Sequence, residues 1–391
     1  MSTFKRNDQT FEFHRYPPTS NRSLRPWSAA DELLLSHFDE YLTNRPENKG
    51  PLRLAVYHDR FGFLSTTLQT HEPYVLYNYS SQEKSLRQNL KENKLEVPED
   101  KLFTPLADFP EPADIMLIKI PKTMDLFRLY LHHAWNNLAD SDNAVVYCGF
   151  MTRHFTPQML EVANEYFEHA EQTKARKKAR LLILKGKKKS EITDKAITDL
   201  INEVEWKPSE NGIAGDEAKK AITLKQYYGV FSSNGVDAAT AMLLKHMQLK
   251  ETEKTVLDMG CGNGIIAKAI KLQQPDADIH AIDDDFLAVE SVKMNAADLV
   301  NVHHYDSPEM FPDGFFDLVV TNPPSHLGHE NNIEVSIGLF DQAAKKIKSG
   351  GRLVIVASKH LNYSTHLTKR YIDIKKLAED DKYEVIEGVV A

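Results

Sequence analysis

The chain has 391 residues, of which 41% are hydrophobic, with a formal net charge of -8 and two cysteines. That length exceeds one ordinary domain of about 100–200 residues, and the apolar fraction supports sizeable cores, so wholesale disorder is excluded. No stretch approaches the roughly 20 apolar residues of a membrane span. Cys148 and Cys261 are too far apart to suggest a disulfide framework or a Cys-based zinc site. The polar start Met1–Asp8 has no apolar h-region behind it, so a cytoplasmic chain with no membrane or metal partner is expected. The acidic balance argues against a protein that coats nucleic acid indiscriminately.

Along the first half, Leu52–His58 and Tyr74–Asn78 read as strands, Lys84–Lys91 as a helix, and Asp114–Ile120 and Ala144–Cys148 as further strands. Apolar periodicity then fades in Lys207–Glu217, rich in Gly, Pro, Ser and acids, which reads as a linker. In the second half, Lys254–Asp258 is a short strand ending in an acid, followed by a glycine-rich turn and a helix over Ile265–Gln273. Asp278–Asp283 is a strand ending in another acid, Leu287–Leu299 a helix, and Phe316–Thr321 a strand that stops at Asn322-Pro323-Pro324. A helix over Ile333–Lys348, the pair Gly350-Gly351 and the strand Arg352–Ser358 close the pattern. Strands alternating with helices at these spacings predict parallel sheets with helices on both faces.

The halves echo each other. Ser85–Asn89 follows Tyr74–Asn78 as Ser291–Asn295 follows Asp278–Asp283, and Asp114–Pro121 parallels Asp317–Pro323 with one extra residue. The expected fold is α/β: two tandem Rossmann-like domains, with residues 1–206 as the first, 207–217 as a linker and 218–391 as the second.

The most specific motif is Asp258-Met259-Gly260-Cys261-Gly262-Asn263-Gly264, between a strand and a helix. Glycines let a backbone turn sharply and approach a ligand closely. The spacing is G-x-G-x-G, with Ile265 where the dinucleotide fingerprint needs glycine, and the Lys-Ser/Thr of a phosphate-binding P-loop is missing. An acid before the loop suits a ligand with a positive end better than a pyrophosphate. Asp283 ends the next strand, where it can accept from ribose hydroxyls, and Asp306 stands where it can accept from an adenine amino group. Acid, glycine loop, acid, acid in this order resembles the motifs of S-adenosylmethionine-dependent methyltransferases. In the first half the equivalent turn is His58-Asp59-Arg60-Phe61-Gly62 and Tyr77-Asn78-Tyr79 stands where the second acid would be. That copy is therefore expected to keep the shape and lack the cofactor site.

Asn322-Pro323-Pro324-Ser325 directly follows a strand, at the sheet edge where open α/β folds bind ligands. Proline fixes φ and removes donors, so the turn is stiff. The Asn322 side-chain oxygen and the Pro323 carbonyl can both face one incoming amine. A conjugated amine is a poor nucleophile, and two fixed acceptors favour a pyramidal nitrogen by positioning and preorganised electrostatics. The tetrapeptide resembles the Asn-Pro-Pro-aromatic signature of methyltransferases that act on planar amino groups. Ser325 replaces the aromatic that stacks on the target base, a contact worth about 1–3 kcal/mol. His326 is either a substitute ring or a capping histidine.

At longer range the chain resembles the bacterial rRNA guanine-N2 methyltransferases. The matching stretches are Phe13–Thr19, Trp27–Glu32, Leu117–Thr123, Tyr228–Ser232, the glycine loop, Asn322–His326 and Ile355–Tyr363. The resemblance implies that S-adenosylmethionine is held by Asp258, Gly260, Gly262, Gly264, Asp283 and Asp306. It implies that Asn322, Pro323 and Pro324 form the catalytic turn, with Ser325 and His326 beside the substrate and Phe231 and Ser232 near the cofactor pocket. It also implies a monomer acting on large-subunit rRNA. The run Lys174–Lys189 carries nine basic residues and no acid, so Lys185, Lys187, Lys188 and Lys189 are candidate phosphate contacts. The competing functions are methylation of a protein glutamine amide, which uses the same Asn-Pro-Pro logic, and a non-catalytic RNA-binding assembly factor.

Overall fold

The computed structural model describes residues 1–45, 50–323, 326–327, 330–331 and 333–391, the short pairs 326–327 and 330–331 by backbone alone. The chain forms two compact units, Met1–Leu200 and Ile201–Ala391. The first contains β1 (Ser2–Arg6), β2 (Gln9–Phe13), α1 (Ala29–Asn44), β3 (Leu54–Tyr57), α2 (Phe63–Thr67), β4 (Tyr74–Leu76) and α3 (Ser80–Glu92). It continues through β5 (Leu102–Phe103), β6 (Ile115–Lys119), α4 (Met124–Asn137), β7 (Val145–Met151), α5 (Gln158–Tyr166), β8 (Phe167–Gln172) and β9 (Ala179–Lys187).

The second unit contains β10 (Ile201–Trp206), β11 (Ile222–Tyr227), α6 (Ala238–His246), β12 (Thr255–Met259), α7 (Ile265–Gln273), β13 (Asp278–Asp283), α8 (Phe286–Ala296) and β14 (Asn301–His304). Then come β15 (Phe316–Thr321), the two-residue strands β16 (His326–Leu327) and β17 (Glu330–Asn331), α9 (Ile333–Lys346), β18 (Ile347–Ser358), α10 (Tyr363–Leu367), β19 (Ile372–Glu379) and β20 (Tyr383–Val389).

The two large sheets have one topology. The first runs β5-β4-β3-β6-β7-β9-β8 and the second β14-β13-β12-β15-β18-β20-β19, element for element in the same order. Each unit also opens with an antiparallel hairpin, β1–β2 or β10–β11. The expectation of wholly parallel sheets needs correction. Five strands of each sheet are parallel, but β9 runs antiparallel to β7 and β20 antiparallel to β18. A crossover helix no longer precedes these last strands, so nothing forces them parallel.

The proposed linker also shifts. Residues 207–217 lie in the 207–221 connection between β10 and β11, which carries two short 3-10 turns, Pro208–Asn211 and Glu217–Lys219. They lie within the second unit, whose hairpin begins at Ile201. Trp206, fully buried, donates through Nε1 to Asn211 at 2.9 Å, which ties the connection to the hairpin. A polar, glycine-containing stretch thus marks a long hairpin loop here.

Alternation along the central strands sets the cores. Val256 of β12 packs with Ile266 of α7, Leu243 of α6 and Val354 of β18 on one face. Leu257 and Met259 pack with Phe340 of α9 and Tyr363 of α10 on the other. Helices therefore cover both faces, as near-continuous apolar strands require. Across β18, the buried Arg352 is held by Glu253 and Glu387. No helix among the described residues is long and apolar enough to cross a membrane.

Candidate active site

In the second sheet the strand order reverses between β12 and β15, and ligands of open α/β folds bind at the carboxyl ends of such a pair. The glycine turn leaves β12 and Asn322 leaves β15, with Asp258 opposite Val320 in the ladder. The two meet: a Cβ built on Gly260 would sit 3.9 Å from the Asn322 carbonyl oxygen and 4.0 Å from Thr321 Oγ1. Gly260 has φ 78°, a conformation that disfavours side chains. A Cβ on Gly262 would meet nothing within 4 Å, so the turn borders open space there. Gly264 serves packing, since a Cβ would press on Val292 of α8 at 3.1 Å.

The acids frame this turn. Asp258 is fully buried, and its Oδ2 accepts from Ala267 N at 3.0 Å. Its Oδ1 has no hydrogen-bond partner among the described residues. Burial pushes its pKa up to about 7, and Asp283 adds to the rise. Asp283 accepts from Gly262 N and Asp285 N, both at 2.9 Å, so it fixes the loop as well as facing it. Burial raises its pKa to about 6. Asp306 lies just after β14, partly buried, at the same sheet edge. Two desolvated carboxyl groups, one with an orphaned oxygen, beside an open glycine turn fit a ligand that carries positive charge and amino donors.

Several site residues were not visible as such in the sequence. Gln226, fully buried, joins the glycine turn to the segment before α6: Asn263 Nδ2 donates to its Oε1 at 2.8 Å, and its Nε2 donates to the carbonyls of Val230 and Phe231. Phe231 itself is 67% exposed. Asn295 on α8 exchanges two hydrogen bonds with the Lys225 backbone and donates to Asn263 O at 2.9 Å. Asn322 Nδ2 donates to Asp237 Oδ2 at 3.2 Å and to Thr240 Oγ1 at 3.0 Å. Asp237 precedes an apolar helix, an N-cap signal in the sequence, but its partner is 85 residues away.

Pro323 is buried beside Asn322, while Pro324 and Ser325 lie outside the described residues. His326 is placed only as the first residue of β16, paired with Asn331. No group of His, Cys, Asp and Glu that could hold a metal occurs among the described residues.

The first unit follows the same backbone path with different contents. His58 has φ 56° where Gly260 has 78°, and Gly62 caps α2 in the left-handed conformation as Gly264 caps α7. The His58 ring packs against Tyr79 and Tyr130, 5.9 and 5.6 Å between centroids. Asp59 accepts from Ser65 N and Oγ at 2.8 Å, the role Asp258 plays toward α7. Lys119 ends β6 at the position where Asn322 follows β15, and it pairs with Asp31 at 2.5 Å.

The basic run does not form one patch. Lys174–Lys178 lie at the turn between β8 and β9, and Lys185–Lys189 at the far end of β9. A nine-residue strand separates the two ends by about 25–30 Å. Because Ala179 pairs with Met151 at the carboxyl end of β7, the turn lies at the ligand edge and Lys185–Lys189 at the opposite one. Lys187 Nζ donates to Leu138 O and lies 4.7 Å over the Trp135 ring, and Lys188 Nζ donates to Asn164 O. Lys185 and Lys189 are exposed.

The turn, the acids and the fold define a Rossmann-like methyltransferase domain, and family models agree. Residues 221–387 match the methyltransferase small domain and residues 1–190 the RLMG N-terminal domain. The chain belongs to the S-adenosylmethionine-dependent methyltransferases that join these two domains, the layout of the rRNA guanine-N2 enzymes its motifs resemble. Among solved structures it is similar over its whole length to "T. Thermophilus 16S rRNA N2 G1207 methyltransferase (RsmC) in complex with AdoMet and Guanosine". That likeness has 19% identity and a TM-score of 0.75, covering 100% of this chain and 98% of that one. A SAM-dependent methyltransferase from Aquifex aeolicus is 20% identical over 38% of this chain and 88% of that one, with a TM-score of 0.30.

Proposed function

We propose that the protein transfers a methyl group from S-adenosylmethionine to the exocyclic N2 amine of a guanine in rRNA of the large ribosomal subunit. The observation that carries this reading is the seating of Asn322 directly beside the Gly260 turn, with its amide nitrogen tied inward. The bound cofactor supplies an electrophilic methyl group. Asp258, Gly260, Gly262, Gly264, Asp283 and Asp306 hold it, and the Asn322 oxygen and Pro323 carbonyl accept the two amine hydrogens. Asn322 and Pro323 then present the nitrogen for attack by orientation, with Pro324, Ser325 and His326 as further proposed substrate-side residues. The N–C bond forms as the methyl–sulfur bond breaks, S-adenosylhomocysteine leaves, and the surplus amine proton passes to water. The target base must leave its stack to reach this turn, so single-stranded or loosely folded rRNA is the expected substrate.

The first unit serves as the guide for RNA. At its ligand edge, Arg15 lies 4.5 Å over Phe61, Arg60 5.2 Å over Tyr79 and Arg25 5.9 Å over Trp27, near the basic turn Lys174–Lys178. Cations clustered at this edge suit the phosphate backbone of RNA. Lys185 and Lys189 are secondary candidates, with Lys187 and Lys188 weaker because their ammonium groups are engaged.

The test is transfer of labelled methyl to naked rRNA, to ribosomal subunits and to ribosomal protein, followed by nucleoside analysis. Label in N2-methylguanine of large-subunit rRNA is expected. Label in protein, in small-subunit rRNA alone, or nowhere would overturn this reading.

A further inference from the structure

An amide side chain has two faces of opposite polarity. Turned by 180°, Asn322 would present its NH2 group to an incoming amine, donor against donor, and the turn would repel the group it is meant to hold. Something must therefore fix the flip. The Asn322 amide nitrogen meets two acceptors at once, Asp237 Oδ2 at 3.2 Å and Thr240 Oγ1 at 3.0 Å. Both belong to the start of α6, which is itself rigid. The same Asp237 Oδ2 accepts from Thr240 N at 3.1 Å and caps the helix. The approach to α6 is pinned by Gln226 on Val230 O and Phe231 O and by Ser232 Oγ on Gly235 O at 2.6 Å.

The first unit supplies an independent comparison. There the acid at the start of the first sheet-packing helix, Asp31, is held by Ser28 N and Oγ at 2.7 Å and grips Lys119, the last residue of β6. Both copies thus use an acid at the start of this helix to hold the equivalent residue at the carboxyl end of the matching strand. In the first copy the grip neutralises a cation. In the second it sets the polarity of an amide and leaves the oxygen as the outward face. A carboxylate on the amide nitrogen also draws electron density toward that oxygen, since linked hydrogen bonds polarise one another.

We propose that Asp237 and Thr240 are positioning residues for methyl transfer, holding the Asn322 amide so that its oxygen meets the acceptor amine. This rests on the reading of Asn322 as the amine acceptor. The test measures steady-state transfer of labelled methyl from S-adenosylmethionine to total rRNA from cells lacking this chain. Asp237→Ser keeps an N-cap hydroxyl but is too short to reach Asn322. It should lower kcat by about 10- to 100-fold, the range for losing a hydrogen bond to a charged group, with KM for S-adenosylmethionine nearly unchanged. Asp237→Asn, which keeps an acceptor oxygen and loses the charge, should cost less, and Thr240→Val should fall between the two.

In an Asn322→Ala background, Asp237→Ser should add no further loss, because the group it orients is gone. An equal additional loss there, or a change confined to KM for the cofactor, would overturn the positioning role. Full activity of Asn322→Ala alone would overturn the reading of the site beneath it.

Discussion

The turn after β3 and the turn after β12 share a backbone and differ in what fills it. His58 and Gly260 both adopt positive φ, and Gly62 and Gly264 both begin a helix. Asn89 donates to Phe61 O and His14 O and accepts from His14 N, while Asn295 makes the same three bonds with Asn263 and Lys225. The clamp that shapes the turn is therefore common to both copies and belongs to the scaffold. What differs is the space. A side chain at His58 lies between Tyr79 and Tyr130, where the second unit leaves the glycine turn open. In the first unit a side chain thus occupies the space beside the turn, while both units keep the clamp that shapes it.

The comparison can be broken most severely at the ends of β6 and β15. Asn322→Ala should lower kcat by about 10²- to 10³-fold, the scale for losing a preorganised polar group at the reacting centre. Lys119→Ala should leave methyl transfer per bound RNA unchanged. Single-turnover kinetics at saturating RNA check both, and equal losses would erase the distinction between the units.

The shared clamp should behave oppositely. Asn89→Ala and Asn295→Ala should each cost about 1–3 kcal/mol, because backbone groups are left unsatisfied. Denaturant unfolding of each variant measures this, and a cost confined to one unit would show that the clamp is not common scaffold.

A third comparison is pH. The pKa values of Asp258, Asp283 and Asp59 are pushed up to about 7, 6 and 6 by burial, above the ordinary aspartate value of about 3.9. The unfolded chain gives up these protons at lower pH than the folded one. Their contribution to stability is therefore fully present below about pH 4 and is lost as pH rises toward 7. Unfolding of the cofactor-free protein across pH 4–8 should show this decline, and Asp258→Asn should flatten its upper part. Saturating cationic S-adenosylmethionine should restore the share of the second unit and leave that of Asp59. An unchanged slope with cofactor would contradict the charge logic of the site.

The smallest effects belong to the basic ends of β9. Replacing Lys174, Arg176 and Lys178 with Ala should weaken RNA binding and reduce its salt slope by roughly 0.7 per lost contact with single-stranded RNA. Replacing Lys187 and Lys188 should change binding less. Binding titrations over a salt series separate the two, and the reverse ranking would move the RNA face to the opposite sheet edge.

What the sequence displayed was local. Asp258–Gly264 and Asn322-Pro323 are contiguous, their strands are runs of apolar residues, and the echo of Ser85–Asn89 in Ser291–Asn295 accompanies one strand order in both sheets. The remainder depended on contacts across long separations or on register. Asp237 reaches Asn322 across 85 residues, and the role of Asn295 rests on the backbone of Lys225. The run Lys174–Lys189 looked like one charge cluster because sequence does not show that a strand carries its two ends to opposite edges. The apolar core Leu181–Leu184 reads as a strand or helix at a domain edge, but the antiparallel direction of β9, the strand β20 and the opening hairpins were not legible, because they lack the helix between strands on which the α/β pattern depends.

Calorimetric titration of the full chain with S-adenosylmethionine tests the central claim, that two copies of one fold are unequally used. One site per chain is predicted, abolished by Gly260→Val and retained in a chain with His58 changed to alanine. Two equivalent sites per chain, or a site that survives Gly260→Val, would contradict it.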